Sequence, residues 1–313
     1  MLPRMTREFA VQEVIADPRR RDHFVGVEVG PAIIRAGVFT ESLRLVGKTK
    51  FSTKLERGPK SVIERVAKCI LYAADECDLP LDRIQSVGVG VPGSVESNTG
   101  LVELAPDLGW KNVPLACELE RRLSRPAFTA NIHNLGTLGI YHQEAKATPG
   151  RFAALFLGPQ IGGGLILDGE VHDLSGLPVR PPLFEAPALN VFSTLSQAEF
   201  RHFRSRDFRK AIRKGSSEAA EFIREIATRT GQIAAQLVEQ FAPEVIALGG
   251  GLLDEMREEI LRITEATARA QLKGEANVIF LPSLLGDLAG ITGAAVWAAQ
   301  HGTMLAGVPS PVA

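Results

Sequence analysis

The amino-acid sequence predicts an α/β protein of two lobes around a cleft, with mixed sheets. Three observations lead there. Short apolar runs alternate with longer amphipathic ones along the chain, the pattern of strands alternating with helices. The first two apolar runs are joined by Gly30-Pro31, so one strand pair is antiparallel and the sheets are mixed. Finally, 313 residues exceed the usual size of a single domain, which favours two units sharing a cleft.

The elements follow in order. Residues 1–22 form an N-terminal extension, with a helix-like stretch from Met5 to Ala16 that stops at Asp17-Pro18. That is too little for a helix-turn-helix, which needs two packed helices. Residues 23–129 make an N-terminal lobe. Phe24 to Val29 and Ile33 to Phe39 read as a β-hairpin. Ile63, Val66, Ala67, Ile70, Leu71 and Ala74 recur at helical spacing, and Ser86 to Val91 is a strand ended by Pro92-Gly93. Residues 130–285 make a C-terminal lobe. There, Phe152 to Leu157 runs into the glycine-rich stretch Gly158 to Gly164, with a further short strand from Leu165 to Leu167. Residues 176–190 are proline-rich and irregular. From Ser217 to Phe241, Phe222, Ile226, Ile233, Leu237 and Phe241 share one helical face. Val245 to Leu248 is a strand ending in Gly249-Gly250-Gly251, with a helix from Asp254. Val278 to Leu281 is the last strand and Leu285 to Ala299 a closing helix, of which 286–301 is expected to complete the N-terminal lobe. Residues 302–313 are a tail.

Composition excludes several classes of function. Apolar residues make up 45% and charged residues 23%, enough for a full core. The net charge is −1 and basic residues are spread along the chain, which argues against nucleic-acid binding through a basic face. No apolar run approaches the roughly 18 residues that span a bilayer, and the N-terminus lacks the apolar core of a signal peptide. No membrane partner and a cytoplasmic setting are therefore expected. Cys69, Cys77 and Cys117 have no metal-ligand spacing, so no zinc is expected, and the first two read as small core residues. No G-x-G-x-x-G opens a helix after the first strand, which excludes a dinucleotide-binding oxidoreductase.

Three glycine turns follow apolar strands: Gly30-Pro31, Gly158 to Gly164, and Gly249 to Gly251. Glycine in such turns lets backbone N–H groups approach phosphate oxygens without a Cβ in the way. Together with Gly88-Val89-Gly90-Val91-Pro92-Gly93, Asp107-Leu108-Gly109-Trp110, Pro243 to Gly251 and Leu285 to Ala295, they make the chain resemble the ROK family from about Phe24 to Ala299. That family groups bacterial sugar kinases with sugar-responsive repressors. The resemblance implies a homodimer, Mg-ATP as cofactor, and phosphate or nucleotide contacts at Glu28, Gly30, Gly158, Gly162, Gly163, Gly249, Gly250 and Gly251. It implies sugar contacts at Asn131 and Gly93.

The departures from the family pattern carry as much information. The usual D-I-G-G-T-K run reads Glu28-Val29-Gly30-Pro31-Ala32-Ile33: Pro31 removes an N–H donor, Ala32 a hydroxyl and Ile33 a positive charge. In the second turn Pro159 removes another donor and hydroxyl. The E-N-D-A-N motif, which carries the base that takes the sugar hydroxyl proton, reads Ala130-Asn131-Ile132-His133-Asn134. An alkyl side chain at Ile132 accepts no proton. His133 is the neighbouring titratable group, but one residue further round a helix it points about 100° away. The family's E-x-G-H clamp and cysteine zinc loop are absent after Gly164; Glu185 is the one carboxylate between Asp173 and Asn190, with no assignable role. Loss of a general base alone costs about 10² to 10⁴ in rate. The expectation is thus a sugar-kinase-like protein, catalytically impaired or inactive, that binds a sugar or nucleotide or serves as a scaffold. Its rivals are an active ATP-dependent hexose or amino-sugar kinase, and a sugar-responsive regulator without its own DNA-binding domain.

Overall fold

A computed structural model describes residues 22–158, 161–172, 174, 210–274 and 276–306. The first half of the chain supplies β1 (His23–Val29), β2 (Ile33–Thr40), β3 (Leu45–Ser52), helix α1 (Gly58–Asp75) and β4 (Ile84–Val91). A small three-stranded sheet follows, β5 (Ser94–Glu96), β6 (Leu101–Ala105) and β7 (Trp110–Val113), then helix α2 (Leu115–Leu123) and β8 (Ala127–Asn131). Helix α3 (Ile132–Gln143) leads into β9 (Arg151–Leu157), β10 (Ile161–Leu167) and β11 (Glu170–His172). The remainder is α4 (Ser217–Phe241), β12 (Val245–Gly249), α5 (Gly251–Gln271), β13 (Ile279–Pro282) and α6 (Ala289–Ala306).

Two five-stranded sheets result, ordered β3-β2-β1-β4-β8 and β11-β10-β9-β12-β13. In both, three antiparallel strands are followed by two strands parallel to the first. One plan is therefore used twice. The outer face of the first sheet is covered by α1 and α2, whose Val62, Val66, Ile70, Leu115 and Leu119 are fully buried against Val27, Ile34 and Val89. The outer face of the second is covered by α4 and α5, through Phe222, Ile226, Leu237 and Ile260. Between the sheets lie α3 and α6. Helix α3 packs with Phe152, Ala154 and Ala247 of the second sheet, and α6 lays Ile291, Ala295 and Ala298 on Phe24 and Phe39 of the first. The two helices cross so closely that a Cβ on Gly293 would overlap the carbonyl of Leu135.

The structure departs from the sequence reading in identifiable places. Strand β3 went unread because it is an edge strand carrying Lys48 and Lys50, residues that protect an exposed edge but hide its apolar alternation. The small sheet β5 to β7 also went unread, its strands being only 3 to 5 residues long. The glycine run Ile161-Gly162-Gly163-Gly164 belongs to β10 and not to the preceding turn, paired in register with Leu157 to Ala154. The closing helix begins at Ala289, after a short 3₁₀ turn over Gly286–Leu288. Asp22, assigned to the extension, binds both Arg83 and His23 and so sits at the edge of the first sheet. The helix-like stretch 5–16, the proline-rich segment 176–190 with Glu185, and the tail from 307 lie outside the described residues.

Candidate functional site

The parallel strands β1, β4 and β8 end side by side, which brings Gly30, Pro92-Gly93 and Asn131-Ile132 to one edge of the first sheet. In the second sheet β9 and β12 are parallel neighbours, so Phe156 lies beside Gly249 and the Leu157 backbone against Gly250, with Gly158 next in the chain. Ligands of open α/β sheets occupy the crevice at such carboxyl ends.

Asn131 opens α3. Its Oδ1 accepts from the N–H groups of His133 (2.8 Å) and Asn134 (3.3 Å), the arrangement of an N-cap that satisfies donors left free by the first turn. Its Nδ2 donates to the Gly93 carbonyl at 2.9 Å, with Gly93 held at φ 93°. The two residues read as sugar contacts are thus tied to each other, and one Nδ2 hydrogen of Asn131 stays uncommitted. Ile132 is the first residue of α3, half-buried, beside Gly90.

His133 turns away from that edge and packs onto β10. Its ring lies 5.7 Å from the Phe156 ring and directly over Gly162, where a Cβ would fall inside the imidazole. Loss of hydration pushes its pKa down to about 4, because the charged form has no compensating partner there. The imidazole is neutral at pH 7 and a weak base. Gly162, read from the sequence as a phosphate contact, here makes room for the protein's own His133 ring. Gly163 is half-buried in the same strand.

At the first turn, Gly30 N–H donates to the Ile33 carbonyl (2.9 Å) and the fully buried Thr53 hydroxyl donates to the Gly30 carbonyl (2.7 Å). Pro31 and Ala32 are exposed. Glu28 is the direct cross-strand partner of Arg35. The Arg35 guanidinium donates to Glu28 at 3.1 Å and forms an ion pair with Asp287, just before α6, at 2.9 Å. The other oxygen of Glu28 lies over Gly290 in the first turn of α6, where a Cβ would collide with it. Burial raises the Glu28 pKa, Arg35 opposes the shift, and Asp287 adds to it. The positive charge missing at Ile33 therefore reappears two residues on, on the same face of β2. Sequence reading missed Arg35 because it looked only within the motif's own register. It also missed that both hairpins open with Gly-Pro-x-Ile, at Gly30 to Ile33 and Gly158 to Ile161. Mg-ATP, implied by the resemblance, meets a carboxylate already engaged by an arginine, a poor fit for a magnesium ion that wants open oxygen ligands.

In the second lobe, Gly250 is the N-cap of α5 at φ 98°, packed against the Leu157 backbone, and Gly249 lies against Phe156. Gly251 is exposed at the helix start. Pro159 and Gln160, where a donor loss was expected, lie outside the described residues.

Paired sheets of this order, enclosing two crossed helices, define the two-lobed actin/hexokinase-like class of sugar kinases and their relatives. The chain belongs to the ROK family, whose model matches residues 24–176 and 190–301. It is 26% identical over 263 residues to a glucokinase of Thermotoga maritima, covering 73% of this chain and 81% of that one. An N-acetyl-D-glucosamine kinase of Haemophilus influenzae is 24% identical over 261 residues, covering 73% and 84%. Among solved structures, a ROK family glucokinase from Streptomyces griseus in complex with glucose and AMPPNP superposes with a TM-score of 0.71. Its identity is 23%, covering 89% of this chain and 99% of that one. Among the described residues no helix is long and apolar enough to cross a membrane.

Proposed function

We propose that this ROK-family, sugar-kinase-like protein binds a sugar or nucleotide in its cleft without phosphorylating a sugar. The observation that supports the reading best is the head of α3, where a proton acceptor for the sugar hydroxyl is needed and where Ile132 supplies none. The neighbouring His133 is packed over Gly162 with its pKa near 4, and Glu28 is held by Arg35. Sugar phosphorylation rests on positioning and charge stabilisation, and at the exposed first turn Pro31 offers no N–H donor and Ala32 no hydroxyl. Asn131 keeps one N–H for a ligand hydroxyl. A homodimer is part of the same reading and is checked by light scattering.

The test is a coupled assay of ADP release over hexoses and amino sugars, run beside calorimetry with the same ligands. Binding without sugar-dependent turnover is the expected result. Turnover at ordinary kinase rates, roughly 1 to 100 s⁻¹, sinks the reading and favours the active hexose or amino-sugar kinase that the glucokinase relatives suggest. Ile132→Asp is expected to leave turnover at background, because the first turn still lacks the groups that position a γ-phosphate.

A further inference from the structure

We propose that Arg35 is a resident cation standing where the family resemblance puts a magnesium ion, so that this corner of the cleft takes up no divalent metal. The geometry carries the argument. Two carboxylates, Glu28 on β1 and Asp287 just before α6, converge on one guanidinium at 3.1 and 2.9 Å. They come from opposite ends of the chain, and each would be an oxygen ligand for a hard cation. Carboxylates that hold magnesium need free lone pairs and open space on the metal side. Here Arg35 takes one oxygen of Glu28, and the other is pressed over Gly290 at the start of α6.

Charge balance points the same way. The two carboxylates carry two negative charges and Arg35 returns one. The N-terminus of α6 adds about half a positive charge more. The corner is left close to neutral, at about half a negative charge, so a dication added beside Arg35 would leave it with a net positive charge. It would also have to displace the guanidinium from a charge-assisted hydrogen bond to Glu28 and an ion pair with Asp287. Arg35 and Glu28 are mostly buried, with 22% and 18% of their side chains exposed, so their pair is less screened than an ordinary surface pair, whereas Asp287 is 70% exposed and its arm is screened like one.

Position on β2 explains why this arginine reaches the site. Residues two apart on a strand share a face. Arg35 therefore projects from the same side as Ile33 and lies directly across from Glu28 in the β1–β2 register. The longer side chain of Glu28, compared with an aspartate, lets one carboxylate touch both Arg35 and the first turn of α6.

The proposal concerns the metal alone and does not rest on the proposed function. The experiment uses neither sugar nor turnover, so either can fail while the other stands. Free Mn²⁺ is followed by electron paramagnetic resonance during titration of the full chain, wild type against Glu28→Gln, Arg35→Met and the double variant. Wild type and Glu28→Gln are expected to give superimposable isotherms. Arg35→Met, with the carboxylates released, is expected to gain one Mn²⁺ per chain, and Glu28→Gln in that background to abolish the gain. A Mn²⁺ bound by wild type and lost in Glu28→Gln overturns the proposal, as does a folded Arg35→Met that gains no site. If Arg35→Met does not fold, the comparison of wild type with Glu28→Gln decides the matter by itself.

Discussion

The two sheets share one strand order, and both open their first hairpin with Gly-Pro-x-Ile, yet glycine does different work in each. In the N-terminal lobe Gly30 has a single close neighbour; an added Cβ would meet the Ile33 carbonyl oxygen at 3.2 Å. The turn is shaped by polar contacts, from Thr53 beneath it and from the Glu28–Arg35–Asp287 bridge beside it. In the C-terminal lobe the glycines continue into β10, and helix α3 presses His133 onto Gly162. One glycine makes a turn and the other makes space. A glycine-rich run after a strand thus identifies a close approach of something, and only the packing tells whether that something is a ligand or the protein's own side chain.

The comparison can be broken or sharpened by substitution. The largest effect is expected where both lobes depend on one contact, the α3–α6 crossing. Gly293→Ala drives a methyl group into the Leu135 carbonyl and should cost more than about 3 kcal/mol in urea unfolding, since neither backbone can yield without moving its sheet. A near-neutral result would mean that the two helices are free to separate.

The pH dependence of stability comes next. The folded pKa of His133 lies near 4, below the usual value of 6.5. Its neutral packing therefore contributes stability that is present above about pH 6.5 and drains away as pH falls through about 4. The contribution is at most about 3 kcal/mol at 1.36 kcal/mol per pKa unit, and less because the residue is only half-buried. In His133→Phe the fall of unfolding free energy between these limits should become shallower. An unchanged slope would contradict a desolvated imidazole.

The two glycines themselves give a paired test. Gly162→Ala must displace the His133 ring and is expected to cost about 1 to 3 kcal/mol. Gly30→Ala meets one tight contact, the Ile33 carbonyl oxygen at 3.2 Å, which a small shift of the turn relieves, and should stay within about 1 kcal/mol of wild type. Equal costs would erase the distinction drawn between the lobes. An effect of similar small size is expected for Thr53→Val, which keeps the shape but removes the bond to the Gly30 carbonyl. That should cost about 1 kcal/mol in the same assay.

Much of the architecture was legible in the sequence because it rests on local periodicity. The stripe Phe222, Ile226, Ile233 and Leu237 marks α4, which runs from Ser217 to Phe241. The Gly30-Pro31 turn gave the β1–β2 hairpin. The repeated fold plan was only half legible. β3 and β5 to β7 are too short or too charged to announce themselves, and β10 hides among glycines that sequence reading assigns to a turn. Ile132 at the head of α3 was readable as a residue without a proton acceptor, since no packing gives an alkyl group one.

By itself the sequence determined the fold class, the glycines that end its strands, and the chemical poverty of the first turn. All of these follow from residue type and short-range spacing. Only the tertiary structure decided what the charged and titratable groups do. Glu28 and Asp287 are 259 positions apart in the chain and meet through Arg35 because α6 returns to the first sheet. His133 is neutral because α3 lies against β10. Charge and desolvation act through space, over a few ångströms between segments far apart in sequence, and no local pattern records them.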